Sequence, residues 1–248
     1  MESKTILNRV TLSDEQVANL RTKKIFFGHQ SVGDNIVQGI RDLMAEDSRL
    51  KLNVVNSTHP EQVAEPALVE SYIGHNEDPQ SKNEAFAAIV QSGMGSQGGI
   101  AMYKYCYIDF NSSTNVQQMF EAYRQEIAML RSKYPLLKIV HITAPLTTVE
   151  PATKAWLKAK LGRTSSWDTN AKRNEFNNLL KQTYAATDPI VDLAEVESTH
   201  PDGSRSYVMR ENKRIYTLAP EFTEDGGHLN KVGRRAAAEQ LLLVLSTL

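Results

Sequence analysis

The chain has 248 residues, of which 41% are hydrophobic and 23% are charged, a composition typical of one large globular α/β domain. Lys and Arg total 28 and Asp and Glu total 29, so the near-zero net charge provides no general attraction to nucleic acid or to an anionic membrane. Cys106 is the only cysteine, which excludes an intrachain disulfide and a zinc site built from several thiolates. Nucleic acid and membranes are therefore not expected partners.

The first residues of the given sequence do not have the pattern of a signal peptide. Residues 1–16 are polar and lack the apolar core of a signal peptide, and no run of about 18 apolar residues follows. The sequence as given therefore predicts a cytoplasmic protein. A periplasmic or secreted location is the alternative if Met1 has replaced a native leader.

The predicted elements alternate between strands and helices along the chain. Residues 1–22 are predicted to form a leading helical segment, with Ser13 as the expected N-cap. Short apolar runs predict strands at 24–28, 50–55, 100–108, 137–143 and 189–193. Helical periodicity predicts helices at 32–44, 81–91, 115–133, 151–161, 169–186 and 231–245. Residues 56–80 show no period and are predicted to be a long loop, and residues 200–222 are predicted to hold an insertion or hairpin.

Strands that alternate with helices predict a mostly parallel central sheet with helices on both faces. The expected fold is therefore a three-layer α/β/α sandwich, in a single domain that spans residues 1–248. Ligands bind such sheets at the carboxyl ends of the strands. Residues that directly follow strands are thus the first candidates for function.

The turn at residues 28–33 (GHQSVG) lies between the first strand and its helix. A serine at the position of Ser31 presents its hydroxyl to the cleft, where N–H groups at the helix start stabilise negative charge on a bound carbonyl oxygen. Serine is also a preferred helix N-cap. Taken alone, the turn favours capping over catalysis.

A second polar turn, residues 225–230 (DGGHLN), directly precedes the C-terminal helix. Asp225 and His228 are three residues apart, so the carboxylate can hold one imidazole nitrogen and leave the other facing a nucleophile. A D-x-x-H motif alone is usually a solvated turn. Combined with Ser31, it predicts a Ser-His-Asp catalytic triad.

With these two motifs and the closing block DGGHLNKVGRRAAAEQL, the chain resembles the SGNH or GDSL hydrolase superfamily. Members of that superfamily have a nucleophilic serine after the first strand and an Asp-x-x-His before the last helix. The resemblance implies a flavodoxin-like α/β/α fold with Ser31, Asp225 and His228 as catalytic residues. It also implies hydrolysis of an ester of an acyl or acetyl group, without a metal or any other cofactor.

The motifs between the two ends depart from the superfamily pattern. The first turn is G-H-Q-S where the superfamily usually has G-D-S. Gly74 and Asn76 are the nearest match to the second motif, which contributes to the oxyanion hole, and His29 is expected to border the same pocket. No G-x-N-D, whose asparagine is an oxyanion donor, follows the strand at 100–108. Residues 104–109 (KYCYID) stand in its place, so the third donor is left open.

Lys104 interrupts the predicted strand, where an unpaired charge is costly to bury. In one interpretation Lys104 reaches the strand end or pairs with Asp109. In the other it is a cation that lines the pocket, where it binds an anionic substrate group or replaces the missing asparagine. Lys104 and Asp109 are therefore both candidate pocket residues.

Three further features are not expected to carry function. Residues 93–98 match G-x-G-x-x-G, but they precede a predicted strand, whereas a dinucleotide-binding turn follows one. The histidines lack the i, i+4 spacing of a helical metal pair, so no metal site is predicted. Cys106 lies in an apolar segment and is expected to be an inert packing residue.

The sequence thus predicts a serine esterase that forms an acyl-enzyme and acts on a small-molecule or carbohydrate ester. An O-acyltransferase would use the same triad and deliver the acyl group to a sugar hydroxyl. The third alternative is a carbohydrate-binding module on the same fold whose catalysis has lapsed.

Overall fold

A parallel sheet forms the centre of the molecule. The structure, a computed structural model, describes residues 11–161 and 164–248. Six strands build the sheet within these residues: β1 (Lys24–His29), β2 (Val54–Asn56), β3 (Ala67–Tyr72), β4 (Gly99–Tyr103), β5 (Leu137–Ile142) and β6 (Ile190–Val191). Their order is β2-β3-β1-β4-β5-β6, and every neighbouring pair is parallel.

Helices cover both faces of this sheet. In chain order they are α1 (Asp14–Leu20), α2 (Val32–Glu46), α3 (Pro79–Ile89), α4 (Gly95–Gln97), α5 (Val116–Lys133), α6 (Ala152–Lys160), α7 (Ser166–Tyr184), α8 (Leu193–Ser198) and α9 (Lys231–Ser246). In the two described ranges, no helix combines the length and apolar character needed to cross a bilayer.

Alternate residues of the strands face two separate hydrophobic cores. Phe27 packs with residues of α1, α2 and α9 on one side of the sheet, and the adjacent Phe26 packs with residues of α3, α5 and α7 on the other. Both phenylalanine side chains are fully buried. The predicted three-layer α/β/α sandwich is therefore confirmed.

The strand β3 corrects the sequence prediction of a continuous loop over residues 56–80. It pairs with β1 near the centre of the sheet. Its apolar pattern is interrupted by Glu70, but this carboxylate is buried and accepts a hydrogen bond from Nε2 of His29 at 3.0 Å. The prediction was wrong because Glu70 interrupts the apolar run of β3, and its partner on β1 cannot be identified from the local sequence.

The helix α1, the end of β4 and the segment before α9 can be compared with the sequence predictions. Ser13 caps α1 as predicted, since its hydroxyl accepts the N–H of Gln16, whereas residues 1–10 of the leading segment lie outside the described residues. The strand β4 ends at Tyr103, so Lys104 follows the strand and does not interrupt it. Between residues 200 and 222, β7 (Tyr207–Arg210) and β8 (Lys213–Tyr216) form an antiparallel hairpin.

Close packing between α2 and α9 brings the two ends of the chain together. A Cβ atom on Gly39 would lie 2.3 Å from the carbonyl oxygen of Arg234, so only glycine allows this approach. The guanidinium of Arg234 also pairs with Asp42 of α2 at 2.7 Å. Because Ser31 directly precedes α2 and His228 precedes α9, this contact sets the two side chains at the same edge of the sheet.

Candidate active site

Three side chains form a continuous hydrogen-bond chain at the carboxyl edge of the sheet. The hydroxyl of Ser31 lies 2.7 Å from Nε2 of His228, and Nδ1 of His228 lies 2.6 Å from Oδ2 of Asp225. Hydrogen bonds from the His228 ring and from the N–H groups of Gly227 and His228 hold the pKa of Asp225 well below its usual range. The ionised carboxylate keeps the imidazole proton on Nδ1, so Nε2 is free to accept the proton of Ser31.

The loop at residues 225–229 is tied to two other segments. The N–H of Leu229 donates to Oδ1 of Asn35, in the first turn of α2, at 2.9 Å. The carbonyl oxygen of Gly226 accepts the N–H of Thr148, which lies between β5 and α6, at 2.9 Å. These contacts fix the imidazole relative to the start of α2.

Ser31 occupies an unusual backbone conformation. Its φ of 56° and ψ of −107° lie in a region that a residue with a Cβ adopts only when its surroundings enforce it. Among the described residues, no N–H group of α2 is capped by the Ser31 side chain, which is directed to His228 instead. Ser31 is thus the N-cap residue of α2 by position, but the prediction that its hydroxyl group caps the helix is wrong.

Gln30 holds the serine turn from both neighbouring strands. Its side-chain Nε2 donates to the carbonyl oxygens of Ile73 at 2.9 Å and Gly74 at 2.5 Å, just beyond β3. Its own carbonyl oxygen accepts a hydrogen bond from Nζ of Lys104, just beyond β4, at 2.9 Å. The additional residue of the G-H-Q-S turn thus stabilises the positive φ of Ser31.

Lys104 and Asp109 have different partners from those predicted. Lys104 is only 1% exposed, and its ammonium group contacts the Gln30 carbonyl and Sγ of Cys106, at 3.6 Å. Asp109 forms a buried ion pair with Lys82 at 2.5 Å and accepts the N–H of Cys106. The predicted Lys104–Asp109 pair is wrong. Both side chains are buried, and their role as substrate-binding residues stays a prediction.

The remaining predicted pocket residues lie at different depths. The His29 side chain is fully buried against Glu70, so the prediction that it borders the pocket is wrong. Burial, with a smaller effect of the charge of Lys104, lowers the pKa of His29 to about 3, which keeps the ring neutral. Gly74 and Asn76 lie in the loop after β3, where the Gly74 carbonyl oxygen contacts Gln30 and Oδ1 of Asn76 accepts a hydrogen bond from Lys82 at 3.2 Å. Their role as oxyanion donors stays a prediction.

Tyr107 lies against the triad, although the sequence analysis did not select it. Its hydroxyl is 3.4 Å from Nε2 of His228, and the two rings meet edge to face with centroids 5.6 Å apart. Burial raises the pKa of Tyr107, while a hydrogen bond with Ser31 acts in the opposite direction. Tyr105, two residues earlier, instead donates to buried Asn83 at 2.5 Å, and nothing in the KYCYID segment distinguishes the two tyrosines.

Arg173 of α7 holds Tyr107 in place. Its Nε and Nη2 donate to the carbonyl oxygen of Tyr107 at 3.1 and 2.9 Å, and its guanidinium carbon lies 5.9 Å from the centroid of the tyrosine ring. Its Nη1 donates a hydrogen bond to Oδ1 of Asn170 at 2.7 Å. The Arg173 side chain is buried, and this burial lowers its pKa to about 10. Tyr107 is therefore positioned by a rigid interior contact.

Comparison with known proteins identifies the fold. No family model and no curated protein matches this sequence. Among solved structures, a GDSL-like lipase from Bacteroides thetaiotaomicron is similar, with a TM-score of 0.54 and 13% identity over 90% of this chain and 87% of that chain. A lipase/acylhydrolase from Enterococcus faecalis has a TM-score of 0.50 and 12% identity over 90% of this chain and 94% of that chain. The chain has the GDSL-type hydrolase fold. The structural resemblance predicted from the two end motifs is confirmed.

In this GDSL-type fold, the other sequence motifs make no contact with the side chains of Ser31, Asp225 and His228 among the described residues. Residues 93–98 run from a π-helical turn (Val90–Met94) into α4 and precede β4, so they do not form a turn between a strand and a following helix. Cys106 is buried in the loop after β4. In residues 11–161 and 164–248, no group of three or more His, Cys, Asp or Glu side chains has the geometry to hold a metal ion.

Proposed function

We propose that this protein is a serine esterase in which Ser31 is the nucleophile, His228 the general base and Asp225 the residue that orients the imidazole. The observation that carries the proposal is the unbroken chain of hydrogen bonds at 2.7 Å and 2.6 Å through these three side chains. It is supported by the strained backbone of Ser31, because such strain is concentrated at functional sites.

In the proposed reaction, the hydroxyl oxygen of Ser31 attacks the ester carbonyl carbon while Nε2 of His228 takes the hydroxyl proton. The tetrahedral intermediate collapses as the carbon–oxygen bond to the alcohol breaks, and the imidazolium returns the proton to that alcohol. Water then attacks the acyl-enzyme by the same route and releases the carboxylic acid. The His228 side chain is 45% exposed, so water can reach the acyl-enzyme.

We propose a short acyl group, such as acetyl, on a carbohydrate as the substrate. Tyr72, at the end of β3, is 62% exposed, and its hydroxyl is held by Asp34 of α2 at 2.9 Å. A fixed aromatic ring of this kind offers an apolar face with a polar edge, and the exposed Asn76 follows in the same loop. The Tyr72 ring lies next to the serine turn, against His29 and Asp34, and suits a sugar ring better than a long acyl chain.

The test is the reactivity of Ser31. A fluorophosphonate probe should label wild-type protein at Ser31, and Ser31→Ala should lose labelling and lower turnover of p-nitrophenyl acetate and of an acetylated oligosaccharide by about 10⁴-fold or more. Ser48→Ala is the matched control, because Ser48 is an exposed serine just beyond the opposite end of α2. Wild-type turnover by Ser31→Ala would exclude the triad, and a preference for long-chain esters over the acetylated sugar would contradict the substrate class.

A further inference from the structure

We infer that Tyr107 supplies the third oxyanion donor of this site, its phenolic O–H binding the charge that develops on the substrate carbonyl oxygen. The inference rests on the proposed esterase function. It assigns a role to a residue that stands where this chain lacks the G-x-N-D asparagine.

The topology places Tyr107 at the same edge as the nucleophile. The strands β1 and β4 are parallel neighbours, with Gly28 opposite Tyr103, so the segments that follow them leave the sheet side by side. Ser31 follows β1 by two residues and Tyr107 follows β4 by four. A side chain from the segment after β4 can therefore reach a carbonyl group bound at Ser31.

The hydroxyl of Tyr107 lies close to the atoms that react in the proposed mechanism. It lies 3.4 Å from Nε2 of His228, the same nitrogen atom to which the hydroxyl of Ser31 is hydrogen-bonded. The proton acceptor of Ser31 is His228, at the shorter distance of 2.7 Å, so the Tyr107 proton is not required for activation of the serine. In the tetrahedral intermediate the oxyanion is attached to the carbon that bonds the Ser31 oxygen, which brings it within reach of this O–H group.

The donor is also preorganised. Oxyanion stabilisation is effective when the donor is fixed before the reaction, since no reorganisation is then required. Two guanidinium hydrogen bonds from Arg173 hold the Tyr107 backbone, and the edge-to-face contact with His228 holds its ring. Burial raises the pKa of Tyr107, so the hydroxyl keeps its proton and remains a donor at neutral pH.

Tyr107 gives up no proton when the tetrahedral intermediate forms or collapses. As the Ser31 oxygen bonds to the carbonyl carbon, its proton moves to Nε2 of His228 and the carbonyl π electrons move to the oxygen. Tyr107 donates a hydrogen bond to that oxygen and retains its own proton. When the intermediate collapses, the carbonyl re-forms, the hydrogen bond weakens, and the leaving alcohol takes the proton from His228.

The test compares Tyr107→Phe with Tyr105→Phe, a matched loss of one tyrosine hydroxyl that lies away from the triad. Tyr107→Phe should lower kcat by about 10²-fold, the usual effect of removing one oxyanion donor, with KM changed by less than about three-fold. The pH at which kcat/KM is half-maximal should not move. Affinity for an alkyl boronic acid, which forms a tetrahedral anion on serine, should fall by a similar factor. Tyr105→Phe should keep the wild-type kcat per folded molecule.

Three outcomes separate the hypotheses. A wild-type kcat in Tyr107→Phe overturns the inference, and so does a reduced kcat with unchanged boronic acid affinity. A shifted pH midpoint with a normal plateau rate would mean that Tyr107 acts only through His228, which also overturns it. Ser31→Ala, measured in parallel, identifies failure of the proposed function itself, because activity that survives that change leaves no Ser31 oxyanion to stabilise.

Discussion

At the scale of single residues, the two carboxylate oxygens of Asp225 have different roles. Its Oδ2 faces the imidazole of His228, while its Oδ1 accepts the N–H groups of Gly227 and His228 at 2.9 and 2.8 Å. An asparagine at this position keeps an oxygen for the two N–H groups but turns an NH₂ donor toward Nδ1. The neutral imidazole must then carry its proton on Nε2, where it cannot accept the proton of Ser31.

We therefore expect Asp225→Asn to lower kcat by about 10²–10⁴-fold with little change in melting temperature. Asp225→Ala is the companion variant, because it also removes the acceptor for the two N–H groups and should lower the melting temperature as well as kcat. Steady-state kinetics and thermal melts measure the two effects separately. Near-normal kcat with a lower melting temperature in both variants would limit Asp225 to supporting its loop.

At the scale of elements, the turn between β1 and α2 depends on the segments beyond both neighbouring strands. Gln30 binds the loop after β3 through its side chain and the loop after β4 through its carbonyl oxygen. The second contact is with buried Lys104, which does not touch the reacting atoms but holds the peptide next to Ser31. Lys104 is therefore a positioning residue.

Lys104→Met should lower kcat by more than about ten-fold, because small displacements of a nucleophile reduce the rate strongly. It should also lower the free energy of unfolding by about 1–3 kcal/mol, since the part-buried carbonyl of Gln30 loses the hydrogen bond from Lys104. The control is Lys51→Met, a loss of an exposed lysine. Urea denaturation and kcat per folded molecule test the two parts. If only stability changes, Lys104 does not position the nucleophile.

At the scale of the whole molecule, three buried groups make stability depend on pH. Burial lowers the pKa values of His29 and His141 to about 3, from 6.5 in the unfolded chain. Burial raises the pKa of Glu197 to about 8, from 4.5. The stability from the neutral histidines is complete above pH 6.5 and declines as the pH falls below it. The stability from protonated Glu197 is complete below pH 4.5 and is lost as the pH rises towards 8.

These groups predict a stability maximum near pH 6.5. Between pH 4.5 and 6.5 the unfolded chain binds two more protons on the histidines and one fewer on Glu197, so stability should rise by ~1.4 kcal/mol per pH unit. Between pH 6.5 and 8 only the Glu197 effect remains, and stability should fall by a similar amount. Urea denaturation across this range measures both slopes.

Glu197→Gln should abolish the decline above pH 6.5, because the amide cannot ionise. Glu195→Gln, on the exposed side of the same helix, should leave the decline unchanged. If the stability of Glu197→Gln still declined above pH 6.5 as in the wild type, another group would be responsible for the decline.

The sequence by itself determined most of the alternation of strands and helices and the three-layer fold, and it selected Ser31, Asp225 and His228, which the structure brings together. Periodic burial is a local property of each amphipathic segment, and the two triad motifs are short and lie at strand and helix boundaries. The local pattern nevertheless does not predict β3, because the buried Glu70 is stabilised by partners elsewhere in the chain, among them His29, 41 residues away, and Asn56 of β2.

Tertiary structure alone decided which of these residues meet. Lys82 pairs with Asp109, Lys104 contacts the Gln30 carbonyl, and Tyr107 reaches the triad whereas Tyr105 does not. Each outcome depends on distances of a few ångströms between segments that are far apart in the chain. The energies of hydrogen bonds and of interactions between buried charges change strongly over such distances. Hydrophobic patterning in the sequence does not specify these distances.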